Sequence, residues 1–138
     1  MKLHHIGIAV DSLEAARPVF EKLLGNPPVL EEVVEDQKVR VVMFQIGESR
    51  LELLEATCED SPLARSIAKR GQGLHHIALE VDDLAGTLRK LESAGVRVID
   101  CEPRRGAGNE LVAFLHPAST SGVLIELVEK PEHMTAEE

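Results

Sequence analysis

Apolar and polar residues alternate at the start of the chain: Ile6, Ile8 and Val10 fall on one side of the pattern, His5, Gly7 and Ala9 on the other. A period of two predicts a strand over residues 3–10, with the branched side chains packed inward and a surface of small residues plus one imidazole opposite. Asp11-Ser12-Leu13-Glu14 then reads as a helix start and Gly25 as its stop. Pro18 falls inside that helix, where a missing N–H is expected to kink or delay it. Strand-like runs follow over residues 29–34, 39–46 and 51–55. The same order of signals then recurs. A strand is predicted over residues 74–81, Asp82-Asp83 opens a helix closed by Gly95, and strands are predicted near residues 96–99, 111–115 and 123–128. Between the halves, Ser61-Pro62 starts a short helix ending at Gly71, with proline at the first helical position.

The recurrence is also literal. HHIGIAVDSL at residues 4–13 matches HHIALEVDDL at residues 75–84, an offset of 76 − 5 = 71. LELLE at residues 51–55 matches IELVE at residues 125–129, an offset of 126 − 52 = 74. Two matched pairs in the same order indicate one unit used twice. The expected architecture is α+β: two tandem βαβββ modules forming a curved, mostly antiparallel sheet around a central cavity. The expected organisation is a single domain, with module 1 over residues 3–56, a linker helix over 61–71, module 2 over 74–130 and a mobile tail over 131–138.

Composition narrows the function. The 138 residues carry 15 basic and 24 acidic side chains, a formal charge of −9, and no basic stripe, which argues against a nucleic-acid partner. No apolar run reaches the ~20 residues of a membrane span. The chain opens directly into a strand pattern with no secretory signal, and its two cysteines, Cys58 and Cys101, are expected as free thiols in a cytoplasmic protein. The aromatic residues are three phenylalanines, Phe20, Phe44 and Phe114, too few for a base-stacking platform or for a cleft that grips flat ligands.

Alternation leaves His5 with Gly7 and Ala9 on one face of the first strand, and His76 with Ala78 and Glu80 on the matching face of its repeat. Glu52 stands between Leu51 and Leu53, and Glu126 is the polar residue of an otherwise apolar strand. A carboxylate buried in such a place must be paired or bound to metal. If a pseudo-two-fold axis relates the halves, His5 and Glu52 approach His76 and Glu126. Two imidazoles and two carboxylates suit a divalent metal, Co2+, Mn2+, Ni2+, Zn2+ or iron, and six-coordination would leave two cis positions open. A lone strand histidine is ordinarily a packed or hydrogen-bonded residue. The matched Glu and the matched His in both halves are what packing alone does not require. His4 and His75 point to the other side of their strands. His116 precedes a proline, and a turn hydrogen bond is its expected role. His133 lies in the tail.

The set HHIGIAV, ELLE with DSPLA beyond it, GLHHIALEVDDL, GVRVIDCEPRRGAG and FLHP followed by GVLIEL resembles the methylmalonyl-CoA epimerase family of the vicinal oxygen chelate superfamily, over residues 3–129. The resemblance implies paired modules around a metal, a homodimer, and ligands at His5, Glu52, His76 and Glu126. It implies an acyl-CoA substrate and inversion at C2 by removal and return of a proton. Glu126 is then one catalytic base. Some family members carry a second glutamate where this chain has Val41, so Glu52 is expected to take that part. For the rest of the substrate, Arg104 and Arg105 are candidates to meet the phosphates of coenzyme A, with Lys38 and Arg40 behind them. His116, Ser119 and Ser121 are candidates near the acyl group. The rival activities are a glyoxalase I (lactoylglutathione lyase) isomerase on the same four ligands, a ring-cleaving oxygenase, which wants two His and one carboxylate, and a metal-free small-molecule-binding protein.

Overall fold

The structure, a computed structural model, describes residues 1–131. His133 and the rest of the polar tail lie outside the described residues. In chain order the elements are β1 (Lys2–Ala9), α1 (Leu13–Leu24), β2 (Leu30–Val34), β3 (Val39–Ile46), β4 (Ser49–Ala56), α2 (Pro62–Arg70), β5 (Gly73–Glu80), α3 (Leu84–Ser93), β6 (Arg104–Arg105), β7 (Leu111–Leu115) and β8 (Ile125–Glu129). Three single-turn 3-10 segments interrupt the loops. Among the described residues, no helix is long and apolar enough to cross a membrane.

The chain divides into two compact units, one running His5–His75, the other Met1–His4 together with the segment from His76 onward. In the first, the strands run β2-β3-β4-β1; in the second, β5-β8-β7-β6. Both have the same pairing: β1 is parallel to β4 and β5 to β8, and the remaining neighbours are antiparallel. Parallel neighbours need a long connection, which explains why each unit inserts its helix and two strands between them.

The helices form where the caps stand. The Ser12 hydroxyl accepts from Ala15 N–H at the start of α1, and Gly25 ends it at φ +80°, a left-handed conformation that costs glycine nothing. Asp83 caps α3 and Ser61 caps α2 in the same way. Pro18 neither delays nor breaks α1, which runs from Leu13 through to Leu24; what it removes is the one N–H that would have bonded a turn back.

α1 and α3 each pack on one face of their unit's sheet. Leu13 packs with Val42, Phe44 and Leu53 in the first unit; Leu84 and Leu88 pack with Ala113, Leu115 and Leu127 in the second. Phe44, Leu53, Leu84 and Leu88 are fully buried, each worth about 1.5–3 kcal/mol in transfer terms. A further pair of contacts repeats. Glu55 on β4 accepts from the backbone N–H of Leu13 at 3.1 Å, and Glu129 on β8 accepts from that of Leu84 at 2.9 Å. The last glutamate of each repeated motif thus satisfies an orphan donor at the start of its own helix.

The strand expected near residues 96–99 does not form. Val98 makes one isolated bridge to Leu115, and the edge strand is instead the two-residue β6 at Arg104–Arg105. The physical reason is Asp100: its carboxylate accepts the Phe114 N–H at 2.9 Å, taking the donor that a continued ladder would have used.

Candidate metal and proton-transfer site

Register identifies the second face of each sheet. In the first unit Gly7 is opposite Glu52, and Met43 is opposite Glu52 from the other side. Residues two apart share a face, so His5, Gly7, Glu52, Met43 and Val41 lie together, away from α1. In the second unit Ala78 and Phe114 are both opposite Glu126. His76, Ala78, Glu126 and Phe114 therefore share the face away from α3. The duplicated letters are a duplicated position: a glutamate on a strand parallel to the histidine strand, with a small residue, Gly7 or Ala78, directly beside it.

The side chains meet within each unit. His5 Nδ1 is 3.2 Å from Glu52 Oε2, and His76 Nε2 is 3.0 Å from Glu126 Oε1. His5, Glu52, His76 and Glu126 are each only 4–5% exposed. Phe114 meets the His76 ring edge-on, with centroids 5.8 Å apart and an interplanar angle of 83°, so the imidazole is held against an apolar wall as well as beside an acid. Carboxylates this buried retain their charge only with a cation or donors beside them. The pair that each unit presents, an imidazole nitrogen and a carboxylate oxygen, consists of ligand types that divalent first-row metals take.

Val41, at the position where a further carboxylate was sought, is 2% exposed and lies on the Glu52 face. It offers an apolar surface there and no proton.

The remaining candidates separate. His116 uses Nδ1 to accept from Ala118 N–H at 3.0 Å, the turn role its Pro117 neighbour suggested. Ser119 accepts from Arg97 N–H at 2.9 Å, and Ser121 is an exposed residue at φ +60°. Lys38 is bonded to Asp60 at 2.9 Å. Arg104 is opposite Val112, itself opposite Val128, which puts it on the Glu126 face; Arg105 is opposite Leu111 on the helix-covered face. Cys58 and Cys101 are both free and exposed.

Sequence reading overlooked four carboxylates. Glu110, buried, takes His4 Nε2 at 2.8 Å. Asp100 holds Phe114 N–H and stands 3.2 Å from Arg104 Nε. Glu55 and Glu129 form one repeated helix-start device. Only the last left a signal, the matched final letter of LELLE and IELVE.

The family model for the Glyoxalase/Bleomycin resistance protein/Dioxygenase superfamily matches residues 4–114. Among curated proteins, the chain is 46% identical to the Uncharacterized protein YqjC of Bacillus subtilis, covering 93% of this chain and 91% of that one. It is 37% identical to the Ethylmalonyl-CoA/methylmalonyl-CoA epimerase of Cereibacter sphaeroides, covering 91% of this chain and 96% of that one. Among solved structures, it is similar to a single-substitution variant of the Streptomyces coelicolor methylmalonyl-CoA epimerase in complex with 2-nitronate-propionyl-CoA. That likeness has a TM-score of 0.91 and 39% identity, and covers 95% of each chain.

Proposed function

The chain belongs to the Glyoxalase/Bleomycin resistance protein/Dioxygenase superfamily, and from that premise we propose that it is an epimerase, interconverting the C2 epimers of methylmalonyl-CoA by proton removal and return. One observation carries the reading: each half presents a buried His–Glu pair at the same register position, with a small residue, Gly7 or Ala78, directly opposite the glutamate.

His5, Glu52, His76 and Glu126 would together hold one divalent metal, Co2+ first, with Mn2+, Ni2+ or Zn2+ as alternatives. Such an ion would act as a Lewis acid, offsetting the charge that develops on the thioester oxygen. The protein's own part is the proton. The C2–H of a malonyl thioester is weakly acidic, and its removal leaves a planar carbanion equivalent. Inversion then needs a donor on the face opposite the acceptor. Glu126 removes the proton from one epimer and Glu52 returns one from the other side, with the roles exchanged for the reverse reaction. Glu52 is the choice because Val41 has no titratable group and because Glu52 is the repeat partner of Glu126. Met43 beside Glu52 and Phe114 beside Glu126 give each carboxylate an apolar neighbour, which strengthens the charge interactions around it. His116, Ser119 and Ser121 would form a polar turn near the acyl end. The working form is a homodimer.

The test is turnover of methylmalonyl-CoA by the metal-loaded protein in D2O. The expected result is epimerisation with deuterium uptake at C2, lost on chelation and regained with Co2+. Turnover of the hemithioacetal of methylglyoxal and glutathione, without epimerase activity, would replace this reading with the glyoxalase one.

A further inference from the structure

Two adjacent arginines occupy β6, and the pairing of β6 with β7 sends them opposite ways. Arg104 lies in one cross-strand row with Val112 and Val128, on the face that carries Glu126 one residue pair away. β6 and β8 are two strand spacings apart, about 10 Å, a span that an extended arginine side chain and a small dicarboxylic acyl group can bridge between them.

Arg104 is also held. Its Nε lies 3.2 Å from Asp100 Oδ1, with Asp100 mostly buried, while the other Asp100 oxygen accepts the Phe114 N–H. The Nε itself is buried and makes no hydrogen bond; the side chain as a whole is 38% exposed. One edge of the guanidinium is thus turned to an anchored carboxylate, and the outer nitrogens stay open to an incoming anion. At the far end of the same row, Lys130 is taken by Glu80 at 3.5 Å. Among the described residues of this row, Lys130 meets its carboxylate through its terminal nitrogen, whereas Arg104 meets Asp100 through Nε.

We infer that Arg104, aimed by Asp100, binds the free carboxylate that the substrate carries on its reacting carbon, and that it does not serve the coenzyme A phosphates. The inference rests on the epimerase reading for the identity of the acyl group. An Arg–carboxylate contact is bidentate and directional, so it would fix the plane of the malonyl group over Glu126 as well as add affinity. Asp100 is a positioning residue: it touches no substrate and acts through Arg104 and through the strand that presents Phe114 to His76.

The experiment compares two ligands sharing all of coenzyme A. Malonyl-CoA carries the carboxylate; propionyl-CoA does not. Calorimetric Kd values are measured for both on the metal-loaded full chain, with R104M, R104K and D100N. The expected result is a loss of about 10- to 100-fold for malonyl-CoA in R104M, with propionyl-CoA unchanged. R104K recovers part of the loss, and D100N lowers malonyl-CoA binding in the same direction by less. Equal losses for both ligands would place Arg104 on coenzyme A and overturn the inference, as would unchanged malonyl-CoA binding. R104K and circular dichroism guard against a misfolded R104M. Because these are binding measurements, they read the Arg104 contact even if wild-type protein fails to epimerise methylmalonyl-CoA, which would defeat the activity alone.

Discussion

Glu129 accepts the backbone N–H of Leu84 at 2.9 Å, and three residues earlier on the same strand Glu126 faces the opposite way and meets His76 at 3.0 Å. Glu55 and Glu52 divide in the same manner in the other unit, at 3.1 Å to Leu13 N–H and 3.2 Å to His5. Each repeated glutamate motif therefore turns one acid to its helix start and one to its histidine, and the alternation of the strand keeps them apart.

Mutating the two acids of β8 should have opposite consequences. Glu129→Ala removes a partner from a helix-start N–H and is expected to cost about 1 kcal/mol of stability with turnover retained. Glu126→Gln is expected to lower epimerase kcat by about 10²- to 10⁴-fold while leaving the urea midpoint within the range of ordinary surface changes. Urea unfolding alongside steady-state kinetics distinguishes them.

The two-base scheme makes Glu52→Gln and Glu126→Gln unequal partners. Each variant should still exchange the C2 hydrogen of one epimer with solvent while failing to convert it to the other. Proton NMR in D2O, starting from each epimer separately, reads this directly. Full exchange and turnover from both epimers in Glu52→Gln would remove Glu52 from the proton path.

His4 and Glu110 form a buried pair at 2.8 Å, with both side chains almost excluded from solvent. Glu110→Ala removes one partner from a buried imidazole and is expected to cost about 1–3 kcal/mol. Glu110→Gln preserves an acceptor and should cost less. Thermal and urea denaturation of the two variants supply the comparison.

At the surface, the Asp60 carboxyl is held down to about 2, first by the hydrogen bond from Cys58 Sγ and then by Lys38 at 2.9 Å. A depressed carboxylate stabilises the fold above its ordinary value near 3.8 and loses that contribution as pH falls through its folded value near 2. Asp60 is fully solvated, so the effect on global stability is expected to be small. Carboxyl-carbon NMR should place its midpoint near 2, and Lys38→Met should move that midpoint upward.

Much of this was legible from the order of residues alone. Strand alternation put His5 beside Gly7 and His76 beside Ala78, and caps at Ser12, Ser61 and Asp83 started the three helices where the structure has them. These are local properties: they depend on the period of the chain and on hydrogen bonds spanning three or four residues. The duplicated motifs reached further, because they carried the β1–β4 and β5–β8 equivalence in their spacing. Tertiary structure alone decided the rest. Asp100 ends the strand begun at Val98 by bonding Phe114, fourteen residues on. The edge is then taken by β6, whose alternation turns Arg104 to one face and Arg105 to the other. Glu110 finds His4 across 106 residues of chain. Such partners leave no period and no motif, since a carboxylate's choice among distant donors is made only when packing brings one within reach.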